Sequence, residues 1–152
     1  MPPSEATRID IRTLCAADIV AREDAFLRIA ADIPSEYWTL ANFLYDLPGK
    51  WNLSFAAWRW KDPIGYAILS RKSESRIHLH HFMIDSTQRG RGLGARMMCE
   101  IVARSSSAGA YRLTLKVKGM RARKFYQHHG FSKFGVDGNY TLLERALSRP
   151  MA

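Results

Sequence analysis

Apolar and polar residues alternate with a period of two in seven segments, which predicts β-strands. These segments are residues 8–14, 52–60, 64–71, 76–85, 111–117, 131–136 and 140–145. Four other segments repeat apolar residues at helical spacing, which predicts α-helices. These are residues 16–33, 35–47, 91–107 and 121–129. The predicted order is therefore β-α-α-β-β-β-α-β-α-β-β.

Short breaker sequences indicate how these elements connect. Pro34-Ser35 separates the first two helices, and Ser35 is a suitable N-cap for the second. Lys61-Asp62-Pro63 predicts a hairpin, and hence antiparallel strands in the first half. The strand–helix–strand unit over 76–117 predicts a parallel, right-handed crossover. We expect one domain over residues 1–152, of α/β (α+β mixed sheet) class, with a central six- to seven-stranded mixed sheet flanked by helices.

Composition narrows the class of protein. The 152 residues are 47% hydrophobic and 24% charged, which is typical of a globular chain. No apolar run approaches the roughly 18–20 residues that cross a bilayer, and the first residues show no secretory signal. Cys15 and Cys99 are too few for a disulfide framework or a four-cysteine zinc site. We expect a cytoplasmic protein without a membrane partner or a metal.

Positive charge is concentrated in the second half of the chain. Residues 1–88 carry 10 basic and 11 acidic side chains, whereas residues 89–152 carry 13 basic and 3 acidic ones. Such a block is either a solvated surface or a contact for nucleic acid, membrane or a phosphorylated small molecule. Charge alone leaves these alternatives open.

A glycine-rich segment, residues 88–95, follows one strand and begins a helix with the sequence Gln-Arg-Gly-Arg-Gly-Leu-Gly-Ala. Glycine backbone and a helix N-terminus together present N–H groups that suit a pyrophosphate. A nucleotide P-loop would need Lys and then Ser or Thr after the last glycine, and both are missing. Gly90, Gly92 and Ala95 match a Rossmann fingerprint, but its acidic ribose contact is missing.

A third interpretation explains more of the chain. Arg89-x-x-Gly92-x-Gly94, after a strand ending Phe-Met-Ile-Asp, resembles the acetyl-CoA loop of the GNAT N-acetyltransferase superfamily. Residues 122–131, Ala-Arg-Lys-Phe-Tyr-Gln-His-His-Gly-Phe, resemble the second signature of that family. The resemblance implies a GNAT fold and transfer of an acetyl group from acetyl-CoA to a primary amine.

The resemblance also implies where acetyl-CoA binds. The co-substrate would lie where strand 76–85 separates from strand 111–117. The implied binding residues are Phe82, Met83, Ile84, Arg89, Gly90, Arg91, Gly92, Leu93, Gly94 and Ala95. The loop N–H groups would hold the pyrophosphate, the strand backbone would pair with the pantetheine, and the Phe82 N–H would stabilise the oxyanion.

Tyr126 is the implied general acid, because a phenol with a pKa near 10 keeps its proton at neutral pH and can give it to the departing thiolate. The family often has Asn three residues before the signature Ala. Here Gly119 stands at that position, which removes a side-chain contact near the CoA arm.

The acceptor amine has to lose a proton before or during attack. His80 stands where the family often has an acidic residue, and an ordinary pKa near 6.5 would suit a base; otherwise it only fills the cleft wall. His78 shares its face, but no third metal ligand is close in sequence. In this fold Glu36, Tyr37 and Trp38 would border the acceptor, for which we expect a small cationic amine.

Neither cysteine is placed to act as a nucleophile, so we expect direct attack in a ternary complex. The alternatives are a peptide or protein N-terminus as acceptor, another acyl-CoA donor, or a basic nucleic-acid-binding module. The last is disfavoured: it needs aromatic residues interleaved with basic ones on an exposed sheet, and it leaves the glycine loop unexplained. A homodimer is also possible, because dimers are frequent in such folds.

Overall fold

A computed structural model describes residues 8–33 and 38–148. Seven strands form one mixed sheet, which confirms the predicted fold class. The strands are β1 (Ile9–Thr13), β2 (Phe55–Arg59), β3 (Asp62–Arg71), β4 (Arg76–Ile84), β5 (Arg112–Val117), β6 (Ser132–Asp137) and β7 (Tyr140–Ala146). The described helices are α1 (Ala16–Ala21), α2 (Glu23–Ala30), α3 (Leu40–Leu44), α4 (Lys50–Leu53), α5 (Leu93–Ser107) and α6 (Met120–His128).

The strand order across the sheet is β1-β2-β3-β4-β5-β7-β6. The first four strands are antiparallel, as the hairpin signal predicted. β4 pairs in parallel with β5 through the crossover helix α5, and β5, β7 and β6 are antiparallel again. No helix in the two described stretches is long and apolar enough to span a bilayer.

The pairing between β4 and β5 is short. It joins Arg76, Ile77 and His78 to Arg112, Leu113 and Thr114. β4 then runs on to Ile84 and β5 to Val117 without further pairs between them. The two strands therefore separate and leave a gap inside the sheet.

A β-bulge marks the place where this gap opens. Leu79 is opposite Leu69 and His81 is opposite Ile68, so His80 has no partner on β3. An extra residue of this kind reverses which side chains face which side of the sheet. Before the bulge Leu79 lies in the core under α5 and α6, and after it Phe82 packs against that same core.

Each face of the sheet has its own apolar core. The core under α5 and α6 includes Met97, Ile101 and Leu113. The core on the opposite face is aromatic: Phe26 of α2 and Phe43 of α3 lie 5.9 Å and 5.1 Å from the Tyr66 ring. These two cores hold the sheet between the layers of helices and fix the strands that border the gap.

Two helix predictions were too long. Residues 16–33 form two helices, because the chain breaks at Arg22 with φ −127° and ψ 38°. The Arg22 guanidinium donates to the Lys61 carbonyl at 2.8 Å and pairs with Asp62 at 2.5 Å. Residues 35–47 contain the five-residue helix α3, capped by Thr39, which accepts from the Asn42 N–H at 3.3 Å. Ser35 lies outside the described residues.

The strand predicted over 52–60 begins later, at Phe55, because α4 precedes it. Lys50 explains this helix: its side chain is buried, and its ammonium group donates to the carbonyls of Phe43 and Tyr45, both at 2.6 Å. Burial lowers the pKa of Lys50. These bonds attach the end of α3 to the start of α4.

Candidate functional site

The gap between β4 and β5 is a cleft of about 290 Å³. Its walls come from both strands, from α6 with the turn before it, and from the turn that follows α2. The lining residues are Ile33, Leu79, His80, His81, Phe82, Met83, Leu115, Lys116, Val117, Lys118, Gly119, Ala122 and Tyr126. The structure therefore brings together four of the predicted site residues, Tyr126, His80, Phe82 and Met83.

The edge of β4 that faces the cleft carries backbone groups without a strand partner. The Asp85 N–H points away from the cleft, since it donates to the Ile64 carbonyl of β3 at 2.9 Å. Successive N–H groups of a strand point to opposite edges, so those of Ile84 and Phe82 point into the gap. Such an edge is a template for another extended backbone.

The glycine segment ends beside the same edge. Gly90 and Gly92 have φ of +77° and +80°, a left-handed conformation that favours glycine, and a Cβ at either would meet nothing within 4 Å. Arg96 is the first residue of α5 whose N–H bonds within the helix, to the Gly92 carbonyl at 3.1 Å. The N–H groups of residues 93–95 thus point out of the helix end into open space.

Gly94 has a different role. A Cβ there would lie 3.3 Å from Ile84 Cδ1 and 3.3 Å from Phe125 Cε2. The absence of a side chain lets α5 approach both β4 and α6. This close approach holds the helix N-terminus at the mouth of the cleft.

The remaining predicted loop residues contribute unequally. The Arg89 guanidinium forms an ion pair with Asp32, which follows α2. Arg91 is exposed and has no ion pair within residues 8–33 and 38–148. Leu93 is buried in the core, whereas Ala95 is exposed. The loop therefore offers mainly backbone N–H groups and the Arg91 charge to an anion.

Tyr126 reaches the cleft from α6. Its half-buried ring contacts Phe125 and Phe131 edge-on, with centroids 5.4 Å and 5.5 Å away. Gly119 caps this helix with φ +78°, and a side chain there would meet nothing within 4 Å. The helix predicted over 121–129 is thus confirmed to within one residue, although Asn is replaced by Gly at its start.

His80 has a lower pKa than the sequence suggested. Its Nε2 lies 2.6 Å from the Ser70 hydroxyl. Burial, followed by His78 and three nearby lysines, lowers the pKa of His80 from 6.5 to about 3. The expectation of a base with a pKa near 6.5 is therefore wrong, because sequence alone could not show the burial or the lysines.

His78 is held in a similar way. Its Nδ1 lies 2.8 Å from the Thr114 hydroxyl, and its ring centroid is 4.8 Å from that of His80. Burial, with smaller contributions from Lys72, Arg76 and Lys116, lowers the pKa of His78 to about 4. In the described part of the chain, no group of three or more His, Cys, Asp or Glu is arranged to hold a metal ion.

His81 is a cleft residue to which the sequence assigned no role. The buried Tyr66 hydroxyl, whose pKa burial raises, lies 2.7 Å from His81 Nδ1. The tautomer of the His81 ring decides which of the two groups donates in this contact. Within the two described stretches Nε2 is buried without a hydrogen-bond partner. An unpaired buried polar atom of this kind is unfavourable.

Trp38 stacks on the His81 ring with centroids 4.5 Å apart and an interplanar angle of 15°. This contact places Trp38 beside the cleft, next to one of its lining residues. Glu36 and Tyr37, the other predicted acceptor residues, lie outside the described residues. Cys15 and Cys99 are both exposed and are not among the lining residues.

Comparison with known proteins agrees with this geometry. The chain belongs to the acetyltransferase (GNAT) family, whose sequence profile matches residues 22–131. An uncharacterized protein of Mycobacterium leprae is 27% identical over 106 residues, which are 68% of this chain and 29% of that protein. The match thus spans less than a third of that relative's length.

Solved structures share the fold. Ard1 from Thermoplasma volcanium superposes with a TM-score of 0.80 at 22% identity, covering 93% of this chain and 99% of that one. The ribosomal-protein-S18-alanine N-acetyltransferase of Escherichia coli superposes with a TM-score of 0.77 at 16% identity, covering 95% of this chain and 97% of that one. PaiA N-acetyltransferase from Thermoplasma acidophilum, in complex with coenzyme A, superposes with a TM-score of 0.73 at 17% identity. The match covers 92% of this chain and 99% of that one.

The low histidine pKa values predict acid sensitivity. His78, His80 and His81 have folded-state pKa values of about 4, 3 and 4, below the ordinary 6.5 of an unfolded chain. Below pH 6.5 the unfolded state therefore binds more protons, and the free energy of unfolding should fall as the pH drops from 6.5 towards 4. The slope should approach ~1.4 kcal/mol per pH unit for each histidine.

Urea denaturation between pH 5 and 7 measures this slope. His80→Asn should reduce it by the contribution of one histidine. An identical slope in the parent protein and the His80 variant would contradict the assignment.

Proposed function

We propose that this chain is an acetyl-CoA-dependent N-acetyltransferase that transfers acetyl to a primary amine by direct attack in a ternary complex. The observation that carries the proposal is the separation of β4 from β5 beside the glycine-led start of α5, with Tyr126 on the cleft wall. One domain over residues 1–152, a cytoplasmic location and a homodimer stay predictions.

Backbone groups supply most of the proposed acetyl-CoA site. The N–H groups of residues 90–95 and the Arg91 guanidinium meet the pyrophosphate, which is the ligand that a helix N-terminus favours. The backbone of Phe82, Met83 and Ile84 pairs with the amide groups of the pantetheine arm along the open edge of β4. Arg89 contributes through its ion pair with Asp32, which attaches the loop to the end of α2.

The reaction itself needs few side chains. The amine nitrogen attacks the thioester carbonyl carbon and forms the C–N bond, while the carbonyl oxygen gains negative charge and accepts from the Phe82 N–H. The C–S bond then breaks with its electron pair on sulfur, and Tyr126 donates its proton to the departing thiolate. Since neither exposed cysteine lines the cleft, acetyl passes directly to the amine.

His80 keeps a narrower role in this proposal. With a pKa of about 3 it is neutral at physiological pH and is a weak base. It therefore accepts a hydrogen bond from the amine, and the proton that the amine loses goes to solvent water, so the amine has to arrive mostly as the free base. Trp38, with Glu36 and Tyr37 before it in the sequence, borders the acceptor.

The acceptor class is the least defined part of the proposal. A small cationic amine and a peptide N-terminus are both primary amines. The Escherichia coli relative is, by name, an N-acetyltransferase of an alanine of ribosomal protein S18. This name favours the peptide alternative for the present chain.

Replacing Gly92 should weaken CoA binding. In Gly92→Ala the new Cβ disfavours φ +80°, and the shifted loop no longer aims its N–H groups at the pyrophosphate. Gly109→Ala is the matched control, because Gly109 has φ +87° and open space at the other end of α5. Both variants should lose similar stability, ~1 kcal/mol, but only Gly92→Ala should lose CoA affinity in calorimetric titration. Equal CoA affinity in the two variants would contradict the proposed pyrophosphate site.

Tyr126→Phe tests the chemistry. Incubation with acetyl-CoA and a panel of amines should release CoA thiol, and the Phe variant should bind acetyl-CoA normally while turnover falls about 10²–10⁴-fold. Tyr45→Phe is the control, because Tyr45 is 68% exposed and lies outside the cleft. Unchanged turnover in Tyr126→Phe would show that another group, such as water, protonates the thiolate.

A further inference from the structure

One face of β5 carries a row of basic side chains. Leu113, Leu115 and Val117 are buried in the core under α5 and α6. The alternate residues, Arg112 and Lys116 among them, therefore project from the opposite face of the sheet. We call this surface, formed by Lys72, Arg76, Arg112, Lys116, Lys118, Phe134 and Tyr140, the basic face.

Two ammonium groups on the basic face share one aromatic ring. The Nζ atoms of Lys116 and Lys118 lie 4.8 Å and 4.9 Å from the ring centroid of Tyr140. Neither lysine has an ion pair within the described residues, and the acidic Glu144 is already bound to Arg112 at 2.5 Å. Two ammonium groups around one ring concentrate positive charge there, which favours an anionic ligand nearby.

The positive charge extends to the cleft. Lys116 and Lys118 are among the lining residues. The positive charge of Lys116 lowers the pKa of both His78 and His80, although burial and other neighbouring groups lower these pKa values more. A positive potential that disfavours protonated histidine also disfavours positively charged groups on the acceptor. It favours negatively charged groups there.

The basic face is open beside the cleft. The helices α1, α2 and α3 cover β2, β3 and β4 on this side, and no described residue of β5, β6 or β7 belongs to that core. Phe134 is 41% exposed, with the Arg112 guanidinium 4.8 Å from its ring centroid. Cations and aromatic rings thus form a continuous exposed surface from the cleft to the edge strand β6.

We propose that the acceptor is a peptide whose N-terminal amine is followed by acidic side chains, which bind the basic face along β5 and β7. The inference rests on the proposed function, because it names the acceptor of the same cleft. It replaces the small cationic amine expected from the sequence. Nucleic acid would also match the charge and the aromatic rings, but it offers no aliphatic amine to a thioester.

A matched set of peptides tests the charge preference. Three peptides share one N-terminal residue and differ at the next positions, which are acidic, glutamine or lysine. We expect kcat/KM, measured by thiol release at low salt, to be about tenfold higher for the acidic peptide than for the glutamine peptide, and lowest for the lysine peptide. The preference should shrink as salt is added. An acidic peptide with a blocked N-terminus should release no thiol.

Charge reversal locates the preference. The double variant Lys116→Glu, Lys118→Glu should prefer the lysine peptide, whereas Lys61→Glu, Lys133→Glu should keep the preference for the acidic one. Lys61 also lies over an aromatic ring, since its Nζ is 5.1 Å from the ring centroid of Trp60. Neither Lys61 nor Lys133 lines the cleft. The ratio of acidic to lysine peptide within each variant is compared, because this ratio cancels changes in folding and in CoA binding.

Equal use of the three peptides, or an unchanged ratio in the Lys116, Lys118 variant, would overturn the inference. So would tight binding of single-stranded RNA that blocks acetylation of all peptides equally. If no amine of any kind releases thiol, the proposed function fails instead. Fluorescence anisotropy then still tests the surface: tighter binding of the acidic peptide than of the lysine peptide supports it, and equal binding overturns it.

Discussion

Backbone hydrogen bonding between β4 and β5 stops at His78 and Thr114, although both strands continue. The N–H groups of Phe82 and Ile84 are thereby directed into a cleft instead of at a neighbouring strand. Because these N–H groups have no partner strand, this edge can pair with an extended ligand that completes the sheet. The position of the cleft, the identity of its walls and the proposed use of a pantetheine arm all depend on this interruption of the sheet.

The surrounding structure keeps the interruption open. The bulge at His80 turns the end of β4, so that Phe82 packs towards α5 and α6 while His81 faces the aromatic core. Gly94 brings the start of α5 close to Ile84 and Phe125, and Tyr126 closes one wall from α6. In the proposed function, the N–H groups on one side of the cleft bind the phosphates, and the histidines and lysines on the other side face the acceptor.

Local signals in the sequence predicted most of this arrangement. Alternation predicted the seven strands, and glycines at 90, 92 and 94 predicted a loop that opens a helix, because both depend on residues near each other in the chain. The break at Arg22 and the helix at Lys50 were missed, since contacts with Asp62 and with the carbonyls of α3 determine them. The pKa of His80 and the contact of Tyr66 with His81 were missed for the same reason: burial and distant partners determine them.

Amide hydrogen exchange with and without CoA tests the central claim most directly. If CoA completes the open edge of β4, the N–H groups of Phe82 and Ile84 and those of residues 90–95 should exchange at least tenfold more slowly when saturating CoA is added, while β1, at the far edge of the sheet, should not change. Protection confined to other parts of the chain, or no protection at saturating CoA, would contradict the account.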